Sequence, residues 1–70
     1  MATIILNPGE EFAHRHDSAS ETRLLQGQVE LITDSGVIPL EIGKTIRTEA
    51  GALHRLVVIG PDPAIIFCRH

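Results

Sequence analysis

The sequence predicts an all-β protein of the sandwich or barrel class, and two observations carry that prediction. Eight short runs rich in β-branched and aliphatic residues follow one another, and each run has the length of a strand. Turn-forming residues separate the runs, whereas no window holds a helical apolar stripe of useful length. Many short strands at this even spacing favour a sandwich or a barrel over a doubly wound sheet.

Each predicted strand ends at a turn signal, so the elements can be assigned in order. The predicted strands are Thr3 to Asn7, Glu10 to His16, Thr22 to Gln26, Gln28 to Thr33, Val37 to Ile42, Thr45 to Glu49, Leu53 to Ile59 and Ala64 to Arg69. The turns that separate them are rich in Gly, Pro, Asp, Asn and Ser, as in Asn7-Pro8-Gly9, Asp34-Ser35-Gly36 and Gly60-Pro61-Asp62-Pro63. All eight fit within a single domain that spans residues 1–70.

The size of the chain limits how it can be stabilised. Seventy residues with 43% hydrophobic content bury only about 60% of their unfolded surface, so such domains often use a disulfide, a metal or a partner subunit. Cys68 is the single cysteine, which excludes an intramolecular disulfide. Its expected role is that of a small buried hydrophobic residue. A metal or a second subunit therefore becomes the candidate stabiliser.

Composition and charge disfavour two classes of partner. A formal net charge of -3 and only two aromatic residues offer neither a basic stripe for phosphates nor a platform for stacking bases, so we expect no nucleic-acid partner. No apolar run approaches the ~20 residues of a membrane span, and the N-terminus lacks a secretion signal. We therefore expect a cytoplasmic protein with no membrane partner.

Three histidines carry the chemical signal of the sequence. His14 and His16 stand two residues apart in a predicted strand, so both imidazoles project from one face and can approach the same ion. His54 follows Gly51 in a Gly-x-x-His turn and is the second residue of the seventh predicted strand. We expect the three side chains to face the interior at the mouth of the barrel.

The opposite faces of the last two strands predict a partner subunit. In the seventh strand His54, Leu56 and Val58 share the interior face, which leaves an outer face that is largely apolar: Leu53, Arg55, Val57 and Ile59. The eighth strand is apolar on both sides. Outward apolar side chains in so small a chain favour a homodimer.

Two segments resemble the signature motifs of the cupins. The first runs Pro8-Gly9-Glu10-Glu11-Phe12-Ala13-His14-Arg15-His16-Asp17-Ser18-Ala19-Ser20-Glu21 and ends in Leu24-Leu25-Gln26-Gly27. The second runs Gly43-Lys44-Thr45-Ile46-Arg47-Thr48-Glu49-Ala50-Gly51-Ala52-Leu53-His54-Arg55-Leu56-Val57-Val58. The resemblance implies a minimal single-domain cupin, a double-stranded β-helix or jelly-roll barrel. It also implies a metal site that uses the histidines of both motifs.

The chain departs from these motifs at three places. Glu49 stands where the second motif usually has proline, and Val58 stands where it usually has asparagine. The metal-ligating glutamate of the first motif falls on Ser20 when counted back from Gly27, and on Glu21 when counted forward from His16. Only one of these neighbours can face the interior of a regular strand. Our expectation is Glu21, so the expected metal ligands are His14, His16, Glu21 and His54.

The resemblance leaves several functions open. Three imidazoles and a carboxylate suit a divalent transition metal (Zn, Fe, Ni, Mn or Cu), and no other cofactor is expected. The first hypothesis is a metal-dependent enzyme that acts on a small polar molecule with dioxygenase-, isomerase- or lyase-like chemistry, although no catalytic acid or base can be assigned. The alternatives are a non-catalytic metal-bound module for sensing, accessory or ligand-binding roles, and a barrel whose metal is purely structural. His70 fits neither motif, and we expect no metal role for it.

Overall fold

Eight β-strands form the part of the chain that the structure describes. The computed structural model describes residues 2–15 and 19–69, and it describes the side chains of these residues except those at positions 14 and 15. The strands are β1 Ala2–Leu6, β2 Glu11–Arg15, β3 Ser20–Gln26, β4 Val29–Thr33, β5 Gly36–Pro39, β6 Thr45–Thr48, β7 Leu53–Val58 and β8 Ala64–Arg69. The all-β prediction is confirmed. Two bounds differ from the predicted ones by more than one residue, because β3 begins at Ser20 and β5 ends at Pro39.

The strands form two antiparallel sheets of four. The first sheet has the order β1-β8-β3-β6, and the second has the order β2-β7-β4-β5. The chain crosses between the sheets at nearly every connection, and only β4 and β5 are consecutive strands that pair directly. Such crossing connections between two facing sheets produce a jelly-roll, or double-stranded β-helix. The predicted fold class is therefore confirmed.

The core lies between the two sheets and follows the two-residue alternation of the strands. The first sheet contributes Leu24 and Ile66, and the second contributes Leu31 and Leu56, each no more than 1% exposed. At one end of this interior the buried side chains become polar: Ser20, Thr22, Thr48 and His54. The apolar core therefore leads into a polar end, which is where the candidate site lies.

Gly27 allows the turn after β3 to pack tightly against β8. Its backbone has φ of +98°, and a Cβ atom placed there would lie 2.8 Å from the Cα of Ala64. The register between β3 and β8 also shifts between Leu24 and Gln26, which marks a bulge. A glycine satisfies both the positive φ and the close approach to Ala64, because it tolerates positive φ and carries no Cβ.

The outer face of the second sheet is partly apolar, as predicted. Val37, Leu53 and Ile59 lie on it, with exposed fractions of 54%, 40% and 53%. The same face carries charged residues as well, and the Arg55 guanidinium lies 3.9 Å from the Glu11 carboxylate. No helix among the described residues is long and apolar enough to cross a membrane.

The homodimer remains a prediction, and this outer face is where we expect it to form. Light scattering coupled to size exclusion should give twice the chain mass for the wild type. Leu53→Glu should shift the equilibrium to monomers, because it places a charge among the apolar side chains of the interface. Ile5→Glu, on the outer face of the first sheet, is the matched control and should remain dimeric. A monomeric wild type at about 100 μM, a concentration at which even micromolar association is detected, would contradict this prediction.

Candidate functional site

His54 lies on the interior face of β7. Its side chain is 1% exposed, and its neighbours two and four residues along the strand, Leu56 and Val58, are buried with it. The intervening Leu53 and Arg55 are exposed. This alternation confirms the face that the sequence predicts for His54. The imidazole therefore sits at the boundary between the apolar core and the polar end of the barrel.

A threonine on the facing sheet orients this imidazole. The Nδ1 atom of His54 lies 3.2 Å from the Oγ1 atom of Thr48, and both side chains are buried. Because β7 belongs to the second sheet and β6 to the first, the hydrogen bond joins the two sheets across the interior. A hydrogen bond at one ring nitrogen fixes the orientation of the ring and favours one tautomer.

His14 is the register partner of His54. The antiparallel pairing of β2 with β7 places the two backbone positions directly opposite each other. Opposite positions in such a pair are about 4.5–5.5 Å apart between Cα atoms. Two predicted ligands thus occupy adjacent backbone positions, although they are 40 residues apart in sequence. The third histidine, His16, lies outside the described residues, and so does His70.

The register of β3 distinguishes Ser20 from Glu21. Ser20 is 2% exposed and faces the interior, as do Thr22 and Leu24 further along the strand. Glu21 points to the other face of the sheet, with 34% of its side chain exposed. No bulge separates these positions, because the register shift of β3 lies beyond Leu24. The expectation that Glu21 faces the site is therefore corrected: the interior position belongs to Ser20.

On the outer face, Glu21 is held by arginines. Arg69 donates hydrogen bonds to Oε1 of Glu21 from both Nε and a terminal nitrogen. This hydrogen bonding and the charge of Arg69, aided by Arg47 and Arg23, lower the pKa of the Glu21 carboxyl below its ordinary value. The carboxylate thus has a structural partner on the outside of the barrel, and it is not part of the candidate site.

The polar end of the interior contains hydroxyl groups that the sequence motifs do not assign to the site. Ser20 and Thr48 are register partners on β3 and β6, and the Ser20 Oγ atom is buried without a hydrogen-bond partner among the described residues. Thr22 lies beside Cys68, with 4.0 Å between Oγ1 and Sγ. Burial raises the pKa of the Cys68 thiol, so the predicted role of Cys68 as a buried neutral side chain agrees with its position.

The chemistry of this interior is that of neutral donors. The described part of the chain brings together no group of three His, Cys, Asp or Glu side chains suited to a metal. Its buried polar side chains are three hydroxyls and one imidazole, and they include no carboxylate. The two-residue spacing of Ser20, Thr22 and Leu24 could have indicated the inward hydroxyls of β3, but only once the strand register was known.

The fold and the buried histidine together define a class of protein, the small double-stranded β-helix barrels with a polar interior end. The cupin domain family matches residues 2–69, which is nearly the whole chain. The chain therefore belongs to the cupin family, and the resemblance seen in the two motifs is confirmed. None of the curated proteins compared with it matches its sequence.

Solved structures similar to this chain share its fold. A protein from Thermus thermophilus has a TM-score of 0.82 at 24% identity, over 94% of this chain and 65% of its own. The cupin domain of an XRE family transcriptional regulator from Enterobacter cloacae has a TM-score of 0.84 at 17% identity, over 94% of this chain and 73% of its own.

A third matching structure has nearly the same length as this chain. A de novo designed double-stranded β-helix has a TM-score of 0.83 at 20% identity, over 97% of this chain and 94% of its own. The Thermus protein is longer, and this chain spans about two thirds of it. At these identities the matches establish the fold alone.

The Glu21–Arg69 pair should make folding stability depend on pH in the acid range. Because the pKa of Glu21 is lowered in the folded state, its contribution is present above the unfolded pKa and is lost as the pH falls through the folded pKa. Urea midpoints measured from about pH 5 to about pH 3 should fall less steeply in Arg69→Gln than in the wild type. Glu21→Gln removes the other member of the pair and should flatten the slope in the same way. Equal slopes for all three proteins would contradict the pairing.

Proposed function

We propose that this chain is a metal-binding cupin that acts on a small polar molecule, with His14, His16 and His54 as its protein ligands. The observation that carries the proposal is the buried imidazole of His54 directly opposite His14 in the register of β2 and β7. A buried histidine requires a partner for its polar atoms, and a histidine at the adjacent position supplies a second nitrogen donor.

The side chains at this end of the barrel fit a metal ion. The Thr48 hydroxyl at Nδ1 of His54 is the kind of partner that orients metal-ligating histidines. The buried Ser20 Oγ atom, which has no protein partner among the described residues, offers a further polar group that a bound water or ligand could satisfy. The donor set is therefore suitable for a divalent transition metal.

The absence of Glu21 from the interior changes the charge of the proposed site. Three neutral imidazoles leave the full charge of a divalent ion uncompensated by protein, whereas an inward glutamate would have cancelled part of it. A positively charged site on the edge of an apolar core attracts small molecules that carry a carboxylate or a polarised carbonyl oxygen. We therefore propose an oxygen-bearing small molecule as the ligand or substrate.

At this site a bound metal and the surrounding protein residues would have different roles. A bound metal would supply Lewis-acid polarisation of a substrate oxygen or activation of water. The protein's part is to orient the imidazole of His54 through Thr48 and to exclude water with the apolar Leu56 below it. Among the described interior residues no carboxylate or amine is placed to transfer a proton.

That last observation favours a second candidate function, a non-catalytic cupin that binds metal and a small ligand. An enzyme usually positions a general acid or base within hydrogen-bond reach of its substrate. The interior hydroxyls of Ser20, Thr22 and Thr48 have no such capacity near neutral pH. Both candidates share the histidine site, and they differ in whether the bound molecule is transformed.

Metal content per chain tests the proposal. Protein purified without a tag or added metal should contain close to one divalent ion per chain, and His14→Ala and His54→Ala should weaken metal affinity by at least about 100-fold, because each removes a ligand. Thr48→Val should weaken it about 10- to 100-fold, because it removes the group that orients His54. Circular dichroism would verify that each variant remains folded.

Glu21→Gln is the matched control for this experiment. It should retain metal fully, because Glu21 lies on the outer face. If Glu21→Gln lost as much metal as His54→Ala, the Glu21 carboxylate would have to be a metal ligand after all. A wild type that holds no metal after reconstitution with zinc, iron, nickel, manganese and copper salts would overturn the proposal.

Substitution with cobalt(II) distinguishes an open site from a structural one. With three protein ligands, Co²⁺ should retain positions for solvent or ligand, as catalytic metal sites do. Its visible absorption should then change saturably when a small carboxylate such as acetate is added. If acetate leaves the spectrum unchanged while metal raises the melting temperature, the metal site is closed and structural. That result would exclude small-molecule binding at the metal.

A further inference from the structure

The outer face of the first sheet holds a concave site that the histidines do not explain. A cavity of about 170 Å³ lies there, and we call it the outer groove; its lining residues are Glu21, Arg23, Thr45, Phe67 and Arg69. All five lie on β3, β6 and β8, three adjacent strands of the first sheet. Since interior side chains of these strands face the other way, the outer groove is separate from the candidate metal site.

Strand register places two guanidinium groups, those of Arg23 and Arg69, in the lining of this groove and a third, that of Arg47, beside it. Across one row, Arg69, Glu21 and Arg47 occupy opposed positions on β8, β3 and β6. Across the next row on the same face, Phe67, Arg23 and Thr45 are opposed. Three arginines thus surround a single carboxylate, although the chain as a whole carries a net charge of -3. The groove is a positive area on an acidic protein.

Two of the arginines retain capacity to bind an anion. Arg69 is engaged with Glu21, whereas Arg23 donates a hydrogen bond from Nε to Oγ1 of Thr45 at 3.0 Å. That bond holds the Arg23 side chain across the groove, and its terminal nitrogens carry further donors. Arg47 lies opposite Glu21 on β6, beside the groove and not in its lining. It makes no hydrogen bond or ion pair of its own among the described residues, and it acts on Glu21 through charge alone. A guanidinium fork matches the oxygens of a phosphate or a carboxylate.

The volume of the groove and its apolar wall limit the kind of ligand that it can hold. A cavity of about 150 Å³ accepts a molecule the size of benzene, so a volume of 170 Å³ suits a phosphate group with a small substituent. Phe67 is partly buried and supplies an apolar surface beside the arginines. The groove therefore combines a short apolar wall with oriented cationic donors.

We propose that the outer groove is a binding site for a small phosphorylated molecule, with Arg23 within the groove and Arg47 beside it as the principal anion contacts and Phe67 as the apolar wall. In this arrangement Glu21 is an internal competitor, because its carboxylate occupies Arg69 and offsets part of the positive charge that a ligand would meet. The proposal is independent of the metal site, since the two sets of residues share no member.

Titration with inorganic phosphate tests this site directly. In ¹⁵N-labelled protein near pH 7.5, the Nε–Hε signals of Arg23 and Arg47 should shift saturably with phosphate, with chloride added to hold the ionic strength constant. Phenyl phosphate should bind more tightly than inorganic phosphate, because its ring can pack on Phe67. Shifts that grow linearly, or that chloride alone reproduces, would overturn the proposal.

Variants of opposite expected sign make the test specific. Arg47→Gln should weaken phosphate binding about 10-fold, because it removes charged hydrogen-bond donors. Glu21→Gln should strengthen binding about 3-fold or more, because it removes the competing carboxylate. Arg55→Gln is the matched control on the second sheet and should bind as the wild type does. Equal weakening by Arg47→Gln and Arg55→Gln, or weaker binding by Glu21→Gln, would show general charge attraction and refute the site.

Discussion

The candidate site depends on the pairing of β2 with β7, because this register alone places His14 opposite His54. An antiparallel pair repeats every two residues, so a slip by one position would send His54 outward and bring Arg55 into the core. The buried Leu56 and Val58 below His54 oppose such a slip, since they would be exposed by it. The apolar core therefore fixes the geometry of the polar end, and the site needs no separate device to hold its register.

Much of the fold follows from the sequence, because turn residues and short aliphatic runs are local signals. The eight strands and the inward face of His54 could be predicted in this way. The choice between Ser20 and Glu21 could not, because counting from His16 and counting from Gly27 give opposite faces for neighbouring residues. The choice is settled by burial in the folded sheet, where Ser20 and its register partner Thr48 are both buried and Glu21 is not. Register between distant strands is a tertiary property that a motif count does not contain.

The outer groove is a second feature that a motif count along the sequence does not predict. Arg23, Arg47 and Arg69 belong to three different strands, and no spacing along the chain connects them. Their proximity is a consequence of strand order, in which β3 lies between β6 and β8. A sheet thus gives a small barrel two chemically different faces: neutral hydroxyls and imidazole within, and guanidinium groups with one carboxylate outside. Each face is specified by alternate residues of the same short strands.

The reactivity of the buried Cys68 thiol reports how often this barrel opens. Cys68 is 3% exposed and lies against Thr22, so a reagent can reach its sulfur only when the end of β8 that carries it separates from its neighbours. β8 pairs with both β1 and β3 at the centre of the first sheet, so this separation breaks strand pairing on both sides of Cys68. The rate at which this single cysteine reacts with a thiol reagent therefore follows the population of opened molecules, with no cysteine engineered into the chain.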